Sequence, residues 1–385
     1  LITSLFEMCF TDNSVGMDIN LTTLKEEDIV KILFSENSGI IFQSKSKLNQ
    51  FFDKEEISFH EIGKVVNSDC LNIKNYDNTY SFNISKYRDI WFSTSYHFDK
   101  IQTKNKLARK RFENYKNQPL EFVFPKRFTG KILKNNNKIN AAIIREKGSN
   151  SEREMAYMMS LSGFNVKDVH MTDIISGREN LEDIKLLVAV GGFSNSDVLG
   201  SAKGWAGSFI YNKKAKQTLN NFFNRDDSMS LGVCNGCQLF IELGLINNDH
   251  DIKPKMDYND SGKFECIFTS VKIQESSSIM MKGMEGGNLG VWAAHGEGKF
   301  IFPYDESKYL IPAKYSYNEY PANPNGSNYN AAMLTSEDGR HLVMMPHIER
   351  SIYPHNWAYY PKNRNDEVSP WVIAFDNAYN WLKNK

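Results

Sequence analysis

Cysteine is scarce in this sequence of 385 residues: there are five, Cys9, Cys70, Cys234, Cys237 and Cys266. Thiols so few and so scattered make no disulfide framework, and the expectation is a reduced, cytoplasmic protein. Long apolar runs are missing too. None approaches the roughly 18 residues that a membrane span needs, and no basic-then-apolar signal segment opens the chain. Neither sign of charge is in excess, with 46 Lys+Arg against 46 Asp+Glu. The chain therefore has no sequence-independent grip on nucleic acid or on an anionic membrane, and neither is expected as a partner. An initiating Met is lacking as well. The pattern opens midway at Leu1, so the chain is expected to be a piece of something longer, a fragment or a processed product. What is present is ordinary: 41% hydrophobic and 24% charged residues exclude wholesale disorder and a collagenous or coiled-coil rod. The length suggests two or three domains of about 150 residues each.

The sharpest change of composition falls at Asn135-Asn136-Asn137, inside a largely polar stretch over 126–138. Such runs bury little and mark linkers. Upstream, helical and strand-like patterns mix without a visible repeat. Leu21, Leu24, Ile29, Ile32 and Leu33 recur at helical spacing and predict a helix. Gly39-Ile40-Ile41-Phe42-Gln43 reads as a strand. The basic, aromatic segment 87–115 is helical in character, and its Trp91, Phe92 and Tyr96 are expected to pack in a core. This region reads as the end of an α+β domain whose beginning is missing.

Downstream the pattern becomes strand, turn, helix. Residues 139–144 form a short apolar run, long enough for a buried strand and too short for a helix. Ser151 and Glu154 then match a capping box, with a helix through Met155, Met158 and Met159 that stops at Gly163. A second run, 186–190, ends in Gly191-Gly192. A third, 231–233, ends in Cys234 and feeds a helical stretch over 238–243, with Gly244 beyond. Alternation of this kind predicts a parallel sheet covered on both faces, with its chemistry outside the carboxyl ends of the strands.

The centre of that chemistry is Gly232-Val233-Cys234-Asn235-Gly236. A nucleophile on a sharp strand-to-helix turn has a strained, closely packed backbone, and glycine two before and two after meets that need. The position also sits at a helix N-terminus, where the dipole favours a thiolate. Cys234 and Cys237 equally form a C-x-x-C pair, so a redox dithiol or half of a zinc site is the rival reading. Zinc needs two more ligands, and Cys266 stands without a near partner. A nucleophilic thiol wants a base, and the base an orienter. His347-Ile348-Glu349 places a carboxylate two residues from an imidazole, after the apolar run 342–345 and Pro346. The bland alternative is a surface histidine beside a solvated glutamate. His295, in Ala294-His295-Gly296-Glu297-Gly298, repeats the spacing, and spacing does not separate the two. Gly191-Gly192-Phe193-Ser194 is either an ordinary turn or, with the Asn235 amide, an oxyanion hole.

These residues together carry a resemblance. From about Ile139 onward the chain resembles the glutaminase domain of the phosphoribosylformylglycinamidine synthase family. The likeness rests on Arg145-Glu146 with Glu152-Arg153-Glu154-Met155, Asp168-Val169-His170-Met171, Gly191-Gly192-Phe193-Ser194 with Asp197-Val198-Leu199-Gly200, and Gly204-Trp205-Ala206. It continues through Cys234-Asn235-Gly236-Cys237-Gln238, His295-Gly296-Glu297-Gly298, Asn323-Pro324-Asn325-Gly326-Ser327 and Met345-Pro346-His347-Ile348-Glu349-Arg350. Upstream, Glu7-Met8 and Trp91-Phe92-Ser93-Thr94-Ser95 resemble the end of the same family's synthase region.

The resemblance implies a class I glutamine amidotransferase fold, α/β with a flavodoxin-like parallel sheet, over 139–385. It implies a linker over 126–138 and, over 1–125, the end of an α+β, aminoimidazole ribonucleotide synthetase-like domain. It implies Cys234 as nucleophile, His347 as base and Glu349 as its orienter, with Gly192, Phe193, Asn235 and Gln238 at oxyanion and substrate contacts. The implied substrate is L-glutamine, hydrolysed through a thioester. Its ammonia serves a synthase site where ATP activates formylglycinamide ribonucleotide. No cofactor or metal is implied in this chain, and ATP and Mg2+ are expected upstream of Leu1. Asn195-Ser196 stands where the family commonly has Tyr and Gly, and Ile348 where it commonly has Pro. A glutaminase serving another acceptor and a silent binding relative are the other readings.

Overall fold

The computed structural model describes all residues except Asn13, Lys134, Asn136, Asn137, Val198, Leu199 and Ser201, and the side chains of Ser196 and Asp197. It divides into two units, Leu1–Ile101 and Gln102–Lys385. In the first, strands β1 (Val15–Asn20), β2 (Gly63–Asn67), β3 (Cys70–Asn75) and β4 (Asn78–Asn83) pair in the order β2-β1-β3-β4. β1 lies parallel to β3 and antiparallel to β2. Ile19, Leu71 and Ile73 alternate with exposed or half-exposed neighbours and, with Met17, pack on Leu5 and Phe6 of the helix Ile2–Cys9. That alternation is what a sheet with one covered face demands.

Three expectations for residues 1–125 are corrected. The helical pattern of residues 21–33 breaks into a 3-10 turn, Thr22–Leu24, and a helix, Ile29–Phe34. Lys25 turns left-handed at φ 57, and Asp28 restarts the helix by accepting the N–H groups of Val30 and Lys31. Residues 39–43 form no strand, since their apolar side chains find no neighbouring strand and Ile40 is 90% exposed. Segment 87–115 is helical as Ile84–Gln102 and Leu107–Asn114, interrupted by positive φ at Asn105 and Lys106. None of Trp91, Phe92 and Tyr96 is buried: Trp91 leans on Phe10 and donates to Glu7.

The second unit holds β5 (Ile139–Arg145), β6 (Phe164–His170), β7 (Leu186–Ala189), β8 (Met229–Val233), β9 (Lys255–Asp257), β10 (Glu265–Ile273), β11 (Asn288–His295), β12 (Lys299–Ile301), β13 (Ala313–Tyr315), β14 (Met333–Thr335) and β15 (His341–Met344). Its main sheet runs β14-β15-β8-β7-β5-β6, parallel except for the edge strand β14. Every residue of β7, β8 and β15 is buried, as in parallel sheets covered on both faces. Helices Glu152–Leu161 and Val372–Lys383 pack with β5, while Lys203–Ile210, Lys213–Phe223 and Asn235–Glu242 form a second layer over β7 and β8. The expected parallel α/β architecture is present. A smaller antiparallel sheet, β11-β10-β13, and the pair β12-β9 complete the unit, and no motif foretold either.

The capping box at Ser151 does not form. Ser151 sits at φ 67 with no side-chain cap, although Gly163 does end the helix at φ +100. Residues 102–125 pack in the second unit, where Val123 and Asn288 exchange both backbone hydrogen bonds. Of the expected linker, Lys134, Asn136 and Asn137 lie outside the described residues, while Lys131 pairs with Glu367 at 2.7 Å. No helix among the described residues is long and apolar enough to cross a membrane.

Leu71 is fully buried in the smaller core. Replacing it with Ala should destabilise that unit by about 2–5 kcal/mol. Hydrogen exchange read by peptide mass spectrometry should then speed up in β1 and β3 and stay unchanged in β7 and β8. Equal acceleration in both would show that the two cores open together.

Candidate active site

β8 ends in a residue whose backbone is strained: Cys234 has φ 52 and ψ −107. The strain is held from three sides. The Cys234 N–H donates to the Met344 carbonyl at 2.8 Å, and its own carbonyl accepts from Gln238 N at 3.0 Å. A Cβ at Gly232 would come within 2.6 Å of the Gly236 carbonyl oxygen, and one at Gly236 would strike the carbonyl of Ala189 in β7. The glycines expected from the turn pattern are therefore required by backbone approach. The helix Asn235–Glu242 follows at once, and Cys234 Sγ lies 3.7 Å from the Ala294 carbonyl oxygen.

β15 ends nearby, and the chain beyond it delivers His347. The His347 N–H donates to the Trp292 carbonyl at 2.7 Å, which fixes the backbone. Its Nδ1 stands 2.6 Å from Glu349 Oε1, with both side chains buried. Gly191 leaves the space in which thiol and imidazole meet. A Cβ there would lie 2.7 Å from His347 Cε1 and 3.3 Å from Cys234 Cβ. Nε2 is buried, has no hydrogen bond among the described residues, and lies close enough to Cys234 for that group to act on the ring. Burial alone would lower the pKa of His347, but the charge of Glu349, and then that of Cys234, raise it to about 10. Burial pushes Glu349 up, and the charge and hydrogen bond of His347, with the charge of Arg350 and a backbone hydrogen bond, together more than reverse it, leaving the carboxyl below its ordinary value.

His295 is close enough to feel His347, yet it is differently placed. It is 2% exposed, and neither ring nitrogen has a hydrogen bond among the described residues. Burial, and then the charge of His347, push its pKa down to about 3. The carboxylate expected to orient it is turned away, since Glu297 accepts the Gly200 N–H at 3.0 and 3.2 Å. Geometry separates the two histidines where spacing did not.

The loop after β7 differs from expectation at Phe193. Its N–H donates to the Gly148 carbonyl at 3.0 Å and is not open to the crevice. Gly192, at φ +105, and Asn235, at the start of its helix, keep N–H groups without partners among the described residues. The Ser194 N–H donates to Asn235 Oδ1 at 3.3 Å, Asn235 Nδ2 to Gln238 Oε1 at 2.8 Å, and Gln238 Nε2 to the Glu297 carbonyl at 2.6 Å. The side chains of Asn235 and Gln238 thus belong to the frame around the thiol. In the motif Asp197-Val198-Leu199-Gly200, Val198 and Leu199 lie outside the described residues.

Cys237 faces inward and is wholly buried. Burial, and then the neighbouring Cys234, push its thiol well above the ordinary range. All five cysteines are free, and no three metal-binding side chains are grouped among the described residues. Two participants were not legible beforehand. The carbonyl of Ala294 carries no side-chain signal. Asn259, which holds the backbone of His295 at 2.7 Å and of Gly298 at 3.1 Å, looks like any turn asparagine.

A family model described as the CobB/CobQ-like glutamine amidotransferase domain matches residues 138–382. Over 416 aligned residues the chain is 37% identical to the probable phosphoribosylformylglycinamidine synthase, chloroplastic/mitochondrial, of Arabidopsis thaliana, with 100% of this chain and 29% of that protein covered. With the phosphoribosylformylglycinamidine synthase of Dictyostelium discoideum it shares 34% over 441 residues, covering 98% of this chain and 32% of that protein. The chain thus spans less than a third of the length of these relatives. The solved structure of PurLQS from Thermotoga maritima covers 64% of this chain and all of its own, at a TM-score of 0.50 and 23% identity, a likeness of fold.

Brief treatment of the native protein with iodoacetamide should alkylate Cys234 and leave Cys237 intact, read site by site by mass spectrometry. Equal modification of the two would show that the inward thiol is reachable and would return the C-x-x-C pair to consideration.

Proposed function

This chain belongs to the CobB/CobQ-like glutamine amidotransferase family, and from that premise we propose that Cys234, His347 and Glu349 hydrolyse the side-chain amide of glutamine. The observation that carries the reading is the meeting of Cys234 and His347 over Gly191, with Glu349 on the far nitrogen. In this reading His347 takes the thiol proton through Nε2, and the sulfur of Cys234 attacks the amide carbon. The C–N bond breaks as His347 returns the proton to nitrogen, so ammonia leaves and a γ-glutamyl thioester remains. Water, deprotonated by the same imidazole, then attacks the thioester, and glutamate departs as Cys234 recovers its proton. Each attack places charge on the former carbonyl oxygen. The open N–H groups of Gly192 and Asn235 are the donors proposed for it. Glu349 keeps the Nδ1 proton in place and favours the protonated ring.

The finer reading concerns the ammonia. We assign it to an ATP- and Mg2+-dependent synthase step that converts formylglycinamide ribonucleotide to formylglycinamidine ribonucleotide in purine biosynthesis. Residues 1–125 would be the end of that synthase domain, 126–138 the linker and 139–385 the glutaminase. Support comes from the two relatives bearing the synthase name, each alignable with 98% or more of this chain. Among the described residues no three metal-binding side chains are grouped, and no step here runs through Mg2+ or ATP. Those groups belong to the part of the relatives' length that this chain does not span.

Ammonia release from glutamine tests the first claim. Cys234→Ala should abolish it, and Cys237→Ala should leave most of it, with 6-diazo-5-oxo-L-norleucine labelling Cys234 alone. Equal loss in both variants would sink the assignment. A chain supplied with the remaining synthase and still indifferent to formylglycinamide ribonucleotide and ATP would point to another acceptor.

The pH profile tests the base. The leaving amine needs a proton from His347, so the rate should fall as pH rises through the elevated pKa of that ring. Glu349→Gln removes the largest charge that raises it, so the alkaline limb of kcat/KM should move to lower pH. An unmoved limb would exclude Glu349 as the orienter.

A further inference from the structure

Residues 104–118 lie upstream of the matched family region, which begins at 138, and they have no part in the chemistry above. Several of their polar groups nevertheless converge on the start of β10 and the turn before it. The Lys104 N–H donates to the Ser261 carbonyl at 2.8 Å, and Asn105 Nδ2 to that of Asp260 at 2.7 Å. From the helix Leu107–Asn114, Arg111 pairs with Glu265 Oε2 at 2.6 Å. The same guanidinium reaches the Tyr320 hydroxyl and lies 4.9 Å from the centre of its ring. Tyr320 completes the cluster by donating to Glu265 Oε1 at 2.8 Å. Glu265 is 3% exposed, so its carboxylate is buried against a cation and a phenol.

Both gripped points support the active-site turn. Glu265 opens β10 directly opposite His295, the last residue of β11. The turn at 259–262 carries Asn259, whose amide donates to the His295 carbonyl and whose Oδ1 accepts the Gly298 N–H. Those anchors bracket the turn from His295 to Gly298, which carries Glu297. Just before it, the Ala294 carbonyl faces Cys234 Sγ at 3.7 Å. Glu297 holds Gln238 through its carbonyl and Gly200 through its carboxylate. A shift at the start of β10 would therefore be passed to the thiol and to the loop bearing Gly192.

We propose that residues 104–114 form a positioning strap for the glutaminase site, Arg111 acting through Glu265 and Asn105 through Asp260 on the turn 294–298. The proposal rests on the glutaminase reading. It extends the functional unit upstream of residue 138. A misplacement near 1 Å at a reacting centre is worth on the order of a hundredfold in rate, so a modest shift is measurable.

The test uses the whole chain and the variants Arg111→Met, Arg111→Lys and Asn105→Ala. Two labelling rates at Cys234 are compared, one with 6-diazo-5-oxo-L-norleucine, which must be seated as glutamine is, and one with iodoacetamide, which need not be. Arg111→Met should lower kcat/KM for glutamine by about tenfold or more and slow the glutamine analogue in proportion, while iodoacetamide stays within about twofold. Arg111→Lys, which keeps the charge, should recover part of the loss. Unchanged turnover and labelling in Arg111→Met would overturn the strap. So would parallel loss of both labelling rates with a lowered thermal midpoint, which marks a merely structural residue. Should Arg111→Met fail to fold, Asn105→Ala decides: slower analogue labelling at unchanged iodoacetamide labelling supports the strap, and wild-type behaviour refutes it. A wild-type chain that neither releases ammonia nor reacts with the analogue overturns the glutaminase reading and the strap with it.

Discussion

The helix Asn235–Glu242 begins hard against β7, because Gly236 has no Cβ to meet the carbonyl of Ala189. That approach forces Cys234 into a positive-φ backbone, and the carbonyl of Met344 on β15 holds it there. The strain of one residue is sustained by two neighbouring strands, which a buried parallel sheet keeps rigid. Everything else at the site is referred to this point: Gly191 opens the space beside it, and Ala294 approaches the sulfur from the second sheet.

Charge is arranged around that point by burial. His347 and Glu349 share one closed environment, so each is held in the form that suits the other, against the penalty of removing both from water. His295 has the same kind of burial without a carboxylate, and its imidazole is driven the opposite way. Two histidines with the same spacing to a glutamate thus come to opposite electrostatic ends. The difference lies in where Glu297 points, which is to the amide of Gly200 and not to the ring of His295.

Legibility followed the range of the forces involved. Strands β5, β7 and β8 were readable because their buried stretches demand apolar runs. Residues 39–43 looked equally β-prone and form no strand, since strand formation needs a partner that no local pattern announces. Ser151 has the composition of a cap, but the backbone enters the helix left-handed and turns the hydroxyl away from its role. Phe193 stood where an open amide was expected, and the carbonyl of Gly148, from the loop after β5, takes its N–H instead.

The sequence by itself determined where the strained turn falls and which imidazole carries a carboxylate two residues on. Both are properties of a few consecutive residues, whose glycine requirement or side-chain reach is local. Only the tertiary structure decided that Cys234 meets His347, that Glu297 turns from His295, and that residues 104–114 grip the start of β10 and the turn before it. Those outcomes depend on backbone carbonyls and amides, which every residue has and no residue name reveals. Their partners are chosen by how sheets and loops far apart in the chain come to lie together.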